Sequence, residues 1–263
     1  MKKYKVLNAN MVSPWQNYQY KIGKQYHCND FDDRTDVECS RGFYATDIDG
    51  LPYTFRCTEE QRVFECEVSG RSVEIQPYKC RYENITLIRE IEKPEIIKLA
   101  KLRESEIGYL LSEVLYPMNP LEITEHPEID REKLLKSWAS IWASIWDSAG
   151  DTIGDSVGSS VGDAIWVSIR DSVGDSIWDS IGVSIFASIG DSVWDSVRAS
   201  IGAYISSLFP GIKTWKYIEH PEGVNPFQPG ITLWRAGYVP SFDGKTWRLH
   251  TGKNAEVVLE LKL

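Results

Sequence analysis

Nowhere in these 263 residues is there an unbroken apolar stretch long enough to span a bilayer, and the opening Met-Lys-Lys-Tyr-Lys-Val-Leu-Asn lacks the apolar run of a signal peptide. A soluble protein is expected. Cysteine pairs of the Cys-x-x-Cys kind are missing too, and the five cysteines, Cys28, Cys39, Cys57, Cys66 and Cys80, are odd in number. That argues against both a complete disulfide framework and a zinc ribbon. His27 beside Cys28, with Cys39 and Cys57, is one metal constellation to weigh, and weak divalent-cation binding by the tandem Asp of the array another; buried free thiols in a reducing cytoplasm and a solvated acidic face are the plainer readings. No nucleophile motif, phosphate-binding glycine loop or metal-ligand spacing is present, so no cofactor is expected. Basic residues are scarce between 137 and 209, where only Arg170 and Arg198 stand against nine Asp. Such an acidic segment repels phosphates and anionic lipid, so neither nucleic acid nor membrane is expected as a partner.

What the chain does have is a four-residue unit repeated sixteen times in one phase from Ser140 to Ala203. Its first position is Ser except for Thr152 and Ala164, and its second is Ile or Val except for Ala149. The third swings between Trp (142, 146, 166, 178, 194), Gly, Arg (170, 198) and Phe186, and the fourth is usually Asp or Ala. Because a packed interior feels even one methylene, a column that takes both indole and hydrogen is expected to face solvent or a partner, with the Ser and Ile/Val columns inward. Trp, Gly and Arg interchange through the first base of a codon ending in two guanines, so the array has the character of an expanded short DNA repeat.

Around the array the sequence has ordinary complexity. Residues 1–92 read as a mainly β domain, with strands at 3–7, 18–26, 42–47, 62–68, 72–75 and 84–91 and turns at Gly23, Asp49-Gly50 and Ser69-Gly70. Residues 93–136 read as a helical connector, with one helix over 95–115 and a second begun at an Asp130 cap. The array occupies 137–209. Residues 210–263 read as a small α+β region with a short helix at 231–237 and a β-hairpin over 241–263. The fold class expected is α+β.

Residues 1–92, through Tyr20-Lys-Ile-Gly-Lys24-Gln-Tyr26, Cys39-Ser-Arg-Gly-Phe-Tyr-Ala45, Val63-Phe-Glu-Cys-Glu-Val68 and Ile85-Thr-Leu-Ile-Arg-Glu90, resemble a domain of unknown function found in phage and prophage proteins. In that family the domain often precedes a low-complexity array, and the Ser-Ile/Val-x-Asp units here are similar to such arrays. The resemblance implies a phage or prophage setting, in the bacterial host cytoplasm or with the virion, and carries no activity.

In an α-helix four residues turn the chain by about 400°, so an Ile stripe drifts about 40° per unit and leaves any single buried face. Short helices packed together, a right-handed supercoil or a β-solenoid each solve this. Helix is the reading taken, with a bend at the glycine-rich 150–162 stretch, and the β-solenoid is the alternative. The leading functional expectation is a non-enzymatic interaction or structural protein. Its partner-binding or self-association face would carry Trp142, Trp146, Trp166, Trp178, Trp194, Arg170 and Arg198. The alternative is an enzyme with its site in residues 1–92, served by Tyr44, His27 and Glu65. Residues 243–250 (Asp-Gly-Lys-Thr-Trp-Arg-Leu-His) form the most site-like short stretch elsewhere, against the reading of a hairpin whose Trp packs.

Overall fold

The computed structural model describes residues 2–14, 16–55, 60–76, 78–149, 153–164, 174, 177, 182–190 and 193–262. The chain is α+β and folds as two compact units, Met1–Ile107 with Val114–Tyr116, and Gly108–Glu113 with Pro117–Leu263.

In the first unit, β1 (Lys2–Asn8), β4 (Gln61–Gln76) and β5 (Lys79–Ile91) run antiparallel, and the far edge of β5 carries both β2 (Gln25–His27) and β3 (Phe43–Ala45). The sheet curls until Thr46, just past β3, exchanges two backbone bonds of 2.8 and 2.9 Å with Tyr4 of β1. That single bridge closes a ring β1-β4-β5-β3. Its interior is apolar and aromatic: Leu7, Phe64, Cys66, Ile85 and Leu87 meet Tyr20, Tyr26 and Phe43.

Ser69-Gly70, expected to turn, instead lies inside the 16-residue β4 as a bulge, where the register slips between Ser69 and Ser72. Gly70 has φ +78°, and a Cβ there would stand 2.4 Å from Asn84 Nδ2, so glycine is required for the bulge rather than for a reversal. Asp49-Gly50 lies in a 3-10 turn, Ile48–Tyr53. Helix α1 (Lys93–Ile107) ends earlier than expected because Gly108, at φ +79°, takes the left-handed position that closes a helix. Arg103 ties α1 to the 3-10 turn through Asp49 at 2.8 Å. Helix α2 (Leu111–Leu115) follows.

The second unit is built on helices. Asp130 caps α3 (Arg131–Ala149), its carboxylate accepting from Lys133 N at 3.0 Å. Then come α4 (Ile153–Ala164), α5 (Val183–Ile189), α6 (Trp194–Ser207) and α7 (Gln228–Arg235), with a three-stranded sheet β6 (Val239–Phe242), β7 (Trp247–Thr251), β8 (Glu256–Leu261). Among the described residues of the array no strand occurs, so the solenoid alternative finds no support there. The array solves the drifting stripe by being short: α4 spans three units, over which the stripe turns by only about 80°. Accordingly Ile145, Ile153, Val157, Val161, Ile177, Ile185, Val193, Val197 and Ile201 are all buried. The bend expected over 150–162 is not found in 153–162, which lie within α4; residues 150–152 are outside the described residues.

The serine column divides. Ser156, Ser160, Ser196 and Ser200 are buried, whereas Ser140, Ser144, Ser184 and Ser188 are exposed. Each buried pair, four residues apart on one helix, grips a length of backbone. On α4, Ser156 donates to the carbonyl of Lys216, while the amide of the same residue donates to Ser160 Oγ at 2.9 Å. On α6, Ser196 Oγ accepts from Phe242 N at 2.8 Å and Ser200 donates to Pro240 O at 3.3 Å. The second grip covers the outer edge of β6, a strand that sequence reasoning missed because Pro240 demotes such a run. At an outer edge the missing proline N–H leaves no gap in the ladder, and serine hydroxyls do the work of a neighbouring strand.

Candidate ligand-binding site

A cavity of about 250 Å³ opens in the first unit. It lies along the seam where the Tyr4–Thr46 bridge joins β1 to the end of β3, and Tyr4, Lys5 and Val6 line it together with Tyr44, Ala45 and Thr46. Tyr53 of the 3-10 turn and Tyr78 of the β4–β5 turn add two rings, 6.3 Å apart and tilted by 35°. Glu38, Cys39 and Lys79 also contribute, and Lys79 holds Glu38 at 2.8 Å.

Lys5 is the unusual group. It occupies an inward position of β1, is only 4 % exposed, and places its ammonium 2.8 Å from the carbonyl of Tyr44 and 4.8 Å from the centre of the Tyr20 ring. The neighbouring lysines all meet carboxylates: Lys2 with Glu65, Lys3 with Asp47 and Lys79 with Glu38. Burial lowers the Lys5 pKa to about 8, the nearby Cys66 opposing this. Burial also pushes the Cys66 thiol up to about 12 and the Tyr20 phenol above its ordinary value, so both stay neutral. Tyr20 is 1 % exposed, and its hydroxyl has no partner among the described residues.

The loop bearing Glu38 and Cys39 is anchored from inside by Arg81, which is fully buried on β5. Its guanidinium donates to the carbonyls of Asp32, Arg34 and Val37 and, at 2.8 Å, to the hydroxyl of Tyr44. Five fixed donors suit guanidinium to gathering several carbonyls at once. Gly42 makes room for it, since a Cβ there would lie 2.6 Å from Arg81 Cγ. Asp32 is held far below the usual carboxylate range by hydrogen bonds from Arg34 and Ser40.

Of the three residues weighed as catalytic, only Tyr44 lines this cavity. Its hydroxyl accepts from Ser40 N and from Arg81, which makes it a structural link. Glu65 is paired with Lys2 and Arg89, and exposed His27 meets Asn84 Oδ1 at 2.7 Å, so the three are not brought to one site. Cys28, Cys39, Cys66 and Cys80 are free thiols; Cys57 is outside the described residues. Among the described residues no group of three or more His, Cys, Asp or Glu is placed to hold a metal ion.

On the array, Trp142 is half-buried and packs edge-to-face on Phe242 (5.4 Å) and Trp247 (5.7 Å), contacts internal to its unit. Arg198 is exposed. Trp146 and Trp194 lie on α3 and α6, and Trp166, Trp178 and Arg170 fall outside the described residues. The third column is not outward throughout: Gly182 and Gly202 are buried, and a Cβ on Gly202 would stand 3.5 Å from Gly154 Cα, so backbones approach closely there. Trp247 packs as the hairpin reading of 243–250 had it. In that stretch His250 Nε2 meets Ser241 Oγ at 2.7 Å and its Nδ1 meets Ala255 O at 3.0 Å. The pair has the spacing of a base and a nucleophile, but both residues are buried in the sheet; with Nδ1 donating to the carbonyl, Nε2 accepts from the serine.

The first unit is thus a small antiparallel β domain with a helix tied to its 3-10 turn and a cavity along the Tyr4–Thr46 seam. Residues 1–99 match the model of a family described as a domain of unknown function (DUF7666). Comparison with curated proteins and with solved structures returns no match. No helix among the described residues is long and apolar enough to cross a membrane.

Proposed function

We propose that the N-terminal unit is a small-molecule-binding domain and that the array unit is a non-enzymatic support for it. The observation that carries this reading is the cavity at the β1–β3 seam, where polar groups converge in a space suited to a small ligand rather than a nucleotide. Ligand retention by the full chain after incubation with a host metabolite extract, read by native mass spectrometry, tests it. Retention that disappears when Thr54→Trp fills the cavity, with unfolding unchanged, supports the reading. No retained mass, or retention indifferent to Thr54→Trp, overturns it.

A second reading concerns the array. Exposed Asp195 and Arg198 on α6 put a polar helical surface before a protein partner or a second copy. The interaction role expected of the third column therefore stays part of the proposal, with Arg198 its described member on the surface. A phage or prophage setting, in the host cytoplasm or with the virion, accompanies this reading through the resemblance of residues 1–92.

A further inference from the structure

Among the described residues, positive charge in the walls of the cavity is not balanced. Lys79 is answered by Glu38, and Lys3, which shares the inward side of β1 with Lys5, is answered by Asp47 at 2.7 Å. Lys5 is answered by one carbonyl and one ring face, which together use a single N–H of its three. Neither neutral neighbour supplies a charge, because the Cys66 thiol and the Tyr20 phenol both remain protonated. An ammonium held out of water without a counter-ion is costly unless something else brings the missing charge. The remaining walls say what kind of body that charge can ride on. Tyr4, Tyr53 and Tyr78 offer ring surface, with Ser13, Gln16, Thr46 and Thr54 as uncharged polar residues beside them. About 250 Å³ accommodates one ring and its substituents. A phosphate would demand a second positive group or a cluster of amide donors, and the other lysine here is already engaged.

We propose that the cavity takes a small organic carboxylate with a ring-sized apolar body, its carboxylate meeting the Lys5 ammonium and its ring lying among Tyr4, Tyr53 and Tyr78. The proposal rests on the reading of this cavity as a binding site and adds the ligand class.

The test is isothermal titration calorimetry of the full chain with three probes of one shape and different charge: benzoate, benzamide and benzamidinium. Benzoate is expected to bind at least about tenfold more tightly than benzamide, the gain of a charge-assisted hydrogen bond over a neutral one, with benzamidinium weakest. Lys5→Met is expected to erase the preference for benzoate. Because that variant also removes the bond to Tyr44 O, the wild-type charge selectivity decides the matter should it fail to fold. Benzamide binding as tightly as benzoate means that Lys5 only caps the Tyr44 carbonyl; that result, or benzamidinium binding best, overturns the carboxylate while leaving the binding site standing. Binding of none of the three overturns the inference, and loss of metabolite retention in the preceding experiment would remove the site itself.

Discussion

Ser196 and Ser188 occupy the same column of the same repeat, both on helices, yet their replacement by alanine should have opposite signs. Ser196 is 1 % exposed and serves two groups: its hydroxyl donates to Val193 O at 2.9 Å and accepts from Phe242 N at 2.8 Å. Alanine leaves the half-buried Phe242 amide without that acceptor, a loss of about 1–3 kcal/mol. The better helix propensity of alanine returns about 0.5 kcal/mol. A net destabilisation of about 1–2 kcal/mol follows. Ser188 is exposed and only donates back along its own helix to Ser184 O at 2.8 Å, so Ser188→Ala should be neutral or stabilising by about 0.5 kcal/mol. Urea unfolding followed by tryptophan fluorescence reads this difference in the right place, because nine of the ten Trp lie beyond residue 117. With a slope of about 1–3 kcal/mol per molar, the two midpoints should separate by roughly 0.5–2 M. Coincident midpoints would refute the claim that the buried serines hold backbone from another segment.

Glycines of the second unit should divide in the same way: Gly158→Ala, with nothing near its Cβ, stabilises by about 0.5–1 kcal/mol, whereas Gly230→Ala drives a Cβ to 2.6 Å from the Trp138 ring and destabilises by about 1–3 kcal/mol, both read as Tm. In the first unit, Arg81→Met strips the donors from three loop carbonyls and the Tyr44 hydroxyl, and hydrogen exchange across residues 30–42 should accelerate at least tenfold. Burial lowers the His250 pKa below its ordinary 6.5, so the unfolded chain takes up a proton that the folded one resists. Stability of the second unit should therefore be full above about pH 6.5 and fall as the pH drops below it, by at most about 1.4 kcal/mol per unit, and His250→Gln should flatten that slope.

Most strands of the first unit were legible because alternation and β-branched residues mark them, but the site was not. Lys5 sits in Lys-Lys-Tyr-Lys-Val, which reads as a strand with polar residues on its solvent face, and nothing local says that the sheet curls over that face. The closure is made by Thr46, some forty residues on, and only then does an ordinary lysine become an ammonium without a counter-charge among the described residues. Arg81 is hidden for a similar reason, since its partners are backbone carbonyls that exist in every sequence. One signal was available: Gly42 after Ser-Arg, in a stretch with no turn to make, marks close approach by another group, which proves to be the Arg81 side chain.

For the array the periodicity reported the inward column and misled about the rest. Among the described residues this column's Ile and Val are buried or half-buried throughout, because it needs only an apolar neighbour, and several different neighbours supply one. Serine and the third column need particular neighbours, and these change from helix to helix. The same Ser-x-x-x-Ser spacing meets Lys216 on α4 and the edge of β6 on α6, but on α5 its serines are exposed. Likewise the third position is a Gly at residue 202, where an added Cβ would lie 3.5 Å from Gly154 Cα, and a Trp where Phe242 and Trp247 leave a ring-sized face at residue 142. The argument that no packed site accepts both indole and hydrogen holds for each site separately. It fails for a column, because a repeat in sequence becomes a repeat in environment only when successive units stack on copies of themselves, as in a solenoid. Here α4 and α6 pack on each other once and otherwise on non-repeating strands and loops, so each variable residue is fitted to its own surroundings. Exchanging residues 142 and 202, as Trp142→Gly with Gly202→Trp, would keep the composition and period of the array intact. It should nonetheless cost several kcal/mol, opening a cavity against Phe242 while forcing an indole between two backbones. An exchange that left the Tm unchanged would mean that the column faces solvent after all.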